Sequence, residues 1–308
     1  MTRQYIDLHT HTIHSDGQYA AAEVLSFAEK EGLALFSFTD HNTADAYRYL
    51  PAFRGLFGGQ MIPGIEITTM YNGEIVEILG YGFDIPKMWK KVRETMPTFE
   101  EKQMLERLIN LKAFTELGAV MSKDFTDRIK NDPRSVFDPS RETSRKYFYK
   151  EIVSHPENAR FFGGEENMAK LTFGAFSRRY VYKPGSSLFV DQSSLYPTFD
   201  QTVDIIKSCG GLAFLAHFYI YSKDVQACLD DIAQNHRLDG LECRYKKFTR
   251  EQADFLENYC RERGLFVSGG SDFHGELVSA GRRVGHTVED ERLDIAKVED
   301  WVKDIRKI

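Results

Sequence analysis

The chain has 308 residues, of which 42% are hydrophobic and 28% charged, and a formal net charge of -6. That length buries a sizeable core as one large domain or one domain with an insertion, and the acidic balance excludes a dominant non-specific nucleic-acid surface while allowing a local basic pocket. Four dispersed cysteines (Cys209, Cys228, Cys243 and Cys260) form no CxxC pair, which argues against a disulfide frame or a thiolate zinc site. With no signal pattern and no apolar run of spanning length, the expected location is cytoplasmic, away from membranes.

Residues 5–9 read as a strand that runs into His9 and His11. Side chains alternate along a strand, so these two imidazoles face the same way. Asp16 follows in a Ser-Asp-Gly turn. Residues 20–31 carry the period of an amphipathic helix stopped by Gly32. Residues 33–39 form the next expected strand, closed by Asp40-His41-Asn42. Residues 61–66, ending in Glu66, and 74–81 read as strands paired through a Tyr71-Asn72-Gly73 turn. The rhythm returns late, with helix 202–209, strand 212–216, strand 240–243, helix 250–263 and strand 265–269. Alternating elements of this kind predict an α/β fold with a largely parallel sheet.

The middle breaks the pattern. Residues 100–117 read as a strongly amphipathic helix, and 131–145 is polar with two prolines. We expect a main domain over 1–90 and 198–308 and a helical insertion over 91–197, covering the mouth of the main domain.

Polar residues collect where the strands end. His9 and His11 finish the first, Asp40 and His41 the second, and Glu66 the third. His217 follows 212–216, and Asp272 and His274 follow 265–270. In β/α barrels such ends converge on one face. Imidazoles and carboxylates without thiolates suit Mn, Fe or Zn, and there are too many donors for one ion.

Asp7-Leu8-His9-Thr10-His11, Thr39-Asp40-His41, Pro63-Gly64-Ile65-Glu66, Leu215-Ala216-His217 and Gly270-Ser271-Asp272-Phe273-His274-Gly275 occur in the order seen in the PHP (polymerase and histidinol phosphatase) superfamily, which the chain resembles. The resemblance implies a distorted (β/α)7 barrel, amidohydrolase-like, with a trinuclear metal centre. It is closest in character to the branch acting on 3',5'-nucleotide bisphosphates and short oligonucleotide 5' ends, whose members carry a helical insertion. It implies one metal held by His9, His11, Glu66 and Asp272, a second by Glu66 and His217, and a third by Asp16, His41 and His274. Where the family usually has a histidine in a Val-His-x-Leu-Gly context, this chain has Glu77, a harder donor that favours Mn or Fe over Zn.

The implied activity is phosphoester hydrolysis by a metal-activated hydroxide, with two to three divalent ions as cofactors. Its partner is a small phosphorylated substrate or short oligonucleotide, and no obligate protein partner is evident. Asp7 and Asp40 are expected to orient ligand rings, and His217 or Asp272 to pass a proton to the leaving oxygen. Arg178, Arg179, Lys183 and Arg244 are candidates for substrate phosphate, and Tyr219, Tyr221 and Tyr245 for stacking on a base. The competing readings are a phosphatase of another monoester, such as histidinol phosphate, and a non-catalytic metal-binding module.

Overall fold

Short apolar runs between turn residues become strands, and their lengths decide how far the sheets extend. The computed structural model describes residues 4–132, 143–278 and 281–308; most of the polar stretch 131–145 lies outside them. The strands are β1 (Tyr5–Asp7), β2 (Leu35–Phe36), β3 (Gln60–Met61), β4 (Gly64–Tyr71), β5 (Glu74–Tyr81), β6 (Leu212–Leu215), β7 (Gly240–Tyr245), β8 (Phe266–Gly270) and β9 (Leu293–Asp294). They form a four-stranded sheet in the order β3-β2-β1-β9 and a five-stranded sheet in the order β4-β5-β6-β7-β8. β1, β2 and β3 run parallel, as do β6, β7 and β8. β9 is antiparallel to β1, and β5 to β6. Asn72 and Gly73 both have positive φ in the turn between β4 and β5, as a two-residue hairpin loop requires.

The fold is mixed α/β, but the hydrogen bonding gives two sheets, and no closed barrel is formed among the described residues. The physical reason lies just after β1. The backbone N–H groups of His9, Thr10 and Thr12 donate to the side chains of Asp7, Thr39 and Asp40 instead of extending a ladder. Isolated pairings still link the sheets: Thr10 bridges Phe273 and His41 bridges Glu66, both parallel.

Contacts divide the chain into two compact units, one of Met1–Tyr71, Val76–Thr95 and Thr198–Ile308, the other of Asn72–Ile75 and Met96–Pro197. In the first, Ile6, Leu8, Leu79, Tyr81, Phe214 and Trp301 share a core. Each fully buried side chain of this kind contributes about 1.5–3 kcal/mol. Helix α1 (Ala21–Lys30) buries Val24, Leu25 and Ala28. Helix α2 (Ile85–Thr95) buries Ile85 and Met88 and is otherwise rich in cations. The helix Arg250–Arg263 begins at a Thr249–Gln252 capping box and ends at Gly264 in the left-handed region, so local sequence sets both its limits.

The second unit packs Leu111, Phe114, Phe125, Phe148, Ile152 and Phe176 together. Its helix Phe99–Glu116 departs from the expected amphipathic pattern: Gln103, Glu106, Arg107 and Asn110 are buried beside Leu111 and Phe114. Their spacing puts these four polar residues on one face. No helix among the described residues is long and apolar enough to cross a membrane.

Candidate metal centre

Most site residues follow strand ends, but Glu66 lies inside β4 rather than at its end, Glu77 lies inside β5, and Asp16 sits in a turn. His9 and His11 follow β1, and the parallel pairing of this segment with the chain after β8 brings Asp272 beside them. Asp272 N donates to His9 O at 2.8 Å and His11 N to Phe273 O at 2.9 Å. Gly270 is required here, because a Cβ would lie 2.4 Å from His9 Cβ. The pairing of His41 with Glu66 joins the second strand end to β4. Ala216 N donates to Glu77 O at 3.0 Å, which sets His217 beside Glu77. His217 and Asp272 both have positive φ, an uncommon and costly conformation for residues with a Cβ.

Glu66 is the hub. Its Oε2 lies 3.3 Å from His9 Nε2, 3.3 Å from His11 Nε2 and 3.2 Å from His41 Nδ1, and its Oε1 lies 2.9 Å from His217 Nε2. Asp272 Oδ1 sits 3.4 Å from His9 Nε2, 3.2 Å from His11 Nε2 and 3.3 Å from His274 Nδ1. Glu77 approaches His41 Nδ1 at 3.4 Å and His217 Nε2 at 3.2 Å. Asp16, half exposed, lies 3.1 Å from His274 Nε2 and 3.7 Å from His41 Nε2.

The donors fall into four overlapping groups: His11, Asp16, His41 and His274; His9, His11 and Asp272; His9, Glu66 and His217; and His41, Glu66 and Glu77. Within each, the donor atoms lie within 4.8 Å of one another. His9 Nε2, His11 Nε2, His41 Nδ1 and Glu66 Oε2 are buried without a hydrogen-bond partner. Stranding buried polar atoms costs about 1–3 kcal/mol each, so four of them converging on one point fit a cation there.

Electrostatics are consistent with that donor set. Burial works against charge on His11, but the Asp272 and Glu66 carboxylates outweigh it and push the imidazole up to about 10. Against the same burial, Glu66 and Glu77 bring His217 up to about 10. Burial alone would raise Glu66 and Asp272, yet the surrounding imidazoles hold both well below the usual carboxylate range.

Asp7 and Asp40 accept from backbone and hydroxyl groups rather than from a ligand ring, although the Ser15 hydroxyl on Asp40 also lies 3.5 Å from His11 Nδ1. Asp7 accepts from the backbone N–H of His9, Ser271 and Gly285 and from Ser271 Oγ. Asp40 accepts from Thr12 N, Thr12 Oγ1 and Ser15 Oγ. Both organise backbone, because their short side chains meet unsatisfied N–H groups first. The ring of His9 is held instead by Glu242, which is fully buried in β7. Tyr245 is no free stacking surface: it is buried and donates to Asp272 Oδ2 at 2.9 Å. Arg282 binds the same carboxylate and contacts Tyr245 Oη at 3.0 Å.

Arg244 is drawn away from a phosphate-binding role by carboxylates, with Glu257 at 2.6 Å, Asp254 at 2.9 Å and Glu291 at 3.5 Å. Arg178, Arg179 and Lys183 are exposed side chains of the second unit. Glu242 had a signal in the sequence: a lone carboxylate in the apolar run Gly240-Leu241-Glu242-Cys243 needs a buried partner. Arg282 had none beyond its place after Asp272.

The model of the PHP domain matches residues 7–169. A 5'-3' exoribonuclease of Haemophilus influenzae is 25% identical over 277 residues, covering 89% of this chain and 91% of the relative. A 3',5'-nucleoside bisphosphate phosphatase of Chromobacterium violaceum is 26% identical over 293 residues, covering 92% and 91%. A solved amidohydrolase structure from Chromobacterium violaceum, with sulfate bound and no metal, superposes with a TM-score of 0.62 at 22% identity, covering 94% of this chain and 92% of that one. The chain belongs to the PHP domain family and is a metal-dependent hydrolase of phosphoric esters.

Proposed function

We propose that the chain removes phosphate from small nucleotides, 3',5'-nucleotide bisphosphates in the first place, or cleaves short oligonucleotides from their 5' ends. The observation that carries the metal assignment is the convergence of three buried imidazole nitrogens on Glu66 Oε2, all without hydrogen bonds. The substrate class draws its support from the names of the two relatives, each matched over about nine-tenths of its length.

In this reading His9, His11, Glu66 and Asp272 hold one divalent ion. Glu66, Glu77 and His217 hold a second, and Asp16, His41 and His274 a third with His11 near it. Bound Mn, Fe or Zn ions supply Lewis acidity and lower the pKa of water towards about 7. The chain's own residues fix the geometry. Glu242 orients His9, while Arg282 and Tyr245 hold Asp272 Oδ2 so that Oδ1 faces the imidazoles. The surrounding imidazoles keep Asp272 ionised, which suits a ligand. A (β/α)7 barrel completed through the isolated bridges is the architecture we assign to the first unit.

The test is phosphate release from adenosine 3',5'-bisphosphate by Mn-loaded protein, run beside His9→Ala. Release that disappears in the variant supports the reading. No release from the metal-loaded parent overturns the nucleotide assignment.

A further inference from the structure

Within the first unit a second polar surface lies close to the metal centre along the chain. Pro86, Trp89, Lys90 and Arg93 share one face of α2 at i, i+3, i+4 and i+7 spacing. With Arg48 and Glu94 they line a groove of about 390 Å³. Trp89 is fixed by its Nε1–H, which donates to Ala44 O at 3.0 Å. The Arg48 guanidinium stands 5.2 Å from the Trp89 ring centroid and donates to Asp45 at 2.7 Å. Lys90 lies 3.8 Å from Glu94. Arg93 has no ion-pair partner among the described residues. Three cations against two carboxylates leave a small local positive excess around an indole, and ion pairs this exposed are weak, unlike the three carboxylates around the mostly buried Arg244.

Two connections tie the groove to the metal centre. Ala44 is three residues from His41, so their Cα atoms are at most about 11 Å apart. Tyr49, next to Arg48 and 53% exposed, stacks on His14 with ring centroids 5.7 Å apart and planes at 26°. His14 is two residues from Asp16. That upper bound leaves room for at most roughly three stacked nucleotides at ~3.4 Å each.

An indole flanked by guanidinium and ammonium groups, with the exposed Tyr49 phenol next in the chain to Arg48, has the chemistry of a single-strand platform. Bases stack on the rings, and the cations take phosphates. Arg forks are suited to phosphate oxygens. The geometry points to a second binding site here, for the downstream backbone and a base of a single-stranded oligonucleotide whose 5' end occupies the metal centre. It rests on the oligonucleotide part of the substrate reading above.

The experiment is fluorescence anisotropy on the metal-loaded full chain, with phosphorothioate linkages in the probes to suppress turnover. The probes are 5'-phosphorylated, 3'-labelled oligonucleotides of two to six nucleotides. Affinity should rise at least tenfold with length. The slope of log K on log salt should steepen by about 2 for three added phosphate contacts on single strands, at ~0.7 each. Trp89 emission should be quenched, with Trp89→Phe separating it from buried Trp301. Charge reversal at Lys90→Glu with Arg93→Glu, both exposed positions, should flatten the length dependence while the thermal midpoint stays put. Affinity independent of length, or a length gain that survives the charge reversal, overturns the groove. Phosphate release from the bisphosphate is measured separately, and its absence removes the substrate reading without touching the length dependence.

Discussion

Glu242 accepts a hydrogen bond from His9 Nδ1 at 2.8 Å, with both side chains fully buried. Its second oxygen accepts from His217 N at 2.8 Å. One carboxylate on β7 thus fixes an imidazole from β1 and the backbone that carries another from β6. With Nδ1 engaged, His9 presents Nε2 to Glu66 and Asp272, and its tautomer is set by a group outside the donor cluster.

Glu242→Ala leaves two buried donors unpaired. We expect a loss of about 2–4 kcal/mol of metal-free stability and a 10- to 100-fold weaker affinity for metal. Chemical denaturation and metal content by elemental analysis measure the two. Glu242→Gln, which keeps an acceptor, should recover most of the stability and less of the affinity. Unchanged metal content in Glu242→Ala would remove its orienting role.

Glu77 reaches both His41 and His217. Glu77→Ala should lower the bound metal by one ion per chain, because His41 and His217 lose the carboxylate they share. Glu77→His should shift preference from Mn towards Zn, since imidazole is the softer donor. Competition dialysis with the two metals reads both effects. Full metal occupancy in Glu77→Ala would place Glu77 outside the cluster.

Much of the site was legible because its residues are doubled and local: His9 with His11, Asp40 with His41, Asp272 with His274. Period-two spacing at a strand end carries direction as well as identity. What was not legible depends on partners remote in sequence. Glu242 meets His9 across 233 residues, and Asp7 meets Gly285 across 278. Nothing near Asp7 says that its oxygens serve backbone N–H groups. The fold shows the same division. β7 and β8 were readable as apolar runs, whereas β9, two residues long and antiparallel to β1, has no pattern to read.

Proton binding predicts how the metal-free protein responds to pH. His11 and His217 are each raised from 6.5 to about 10 in the fold. Their stabilising contribution is complete below about pH 6.5 and is lost as pH rises through about 10. Glu66 and Asp272 are depressed, so theirs is present above the ordinary carboxylate range and lost on acidification. The thermal midpoint in chelator should therefore peak between about pH 5 and 6.5. Metal must displace the imidazole protons, so apparent affinity should rise with pH and binding should release protons. Calorimetry in buffers of different ionisation enthalpy counts them. A midpoint that climbs steadily from pH 7 to 10 without metal would contradict the raised imidazoles.

Asp7 closes the structure behind the site. Burial raises its carboxyl, and four donors from three segments work against that rise. Those donors set the chain leaving β1, the chain leaving β8 and the turn at Gly285 in one frame, on which the positions of His9 and Asp272 depend. Asp7→Ala strands them and should cost about 3–5 kcal/mol, the range for breaking a buried charged network. Asp7→Asn keeps one acceptor oxygen but turns an NH2 towards N–H groups, so it should recover less than half of that loss. Both variants should bind metal more weakly without touching a donor atom. Denaturant unfolding of the metal-free protein gives the first effect and metal titration the second. Wild-type stability in Asp7→Ala would mean that Ser271 and Gly285 find other acceptors, and that the frame of the site lies elsewhere.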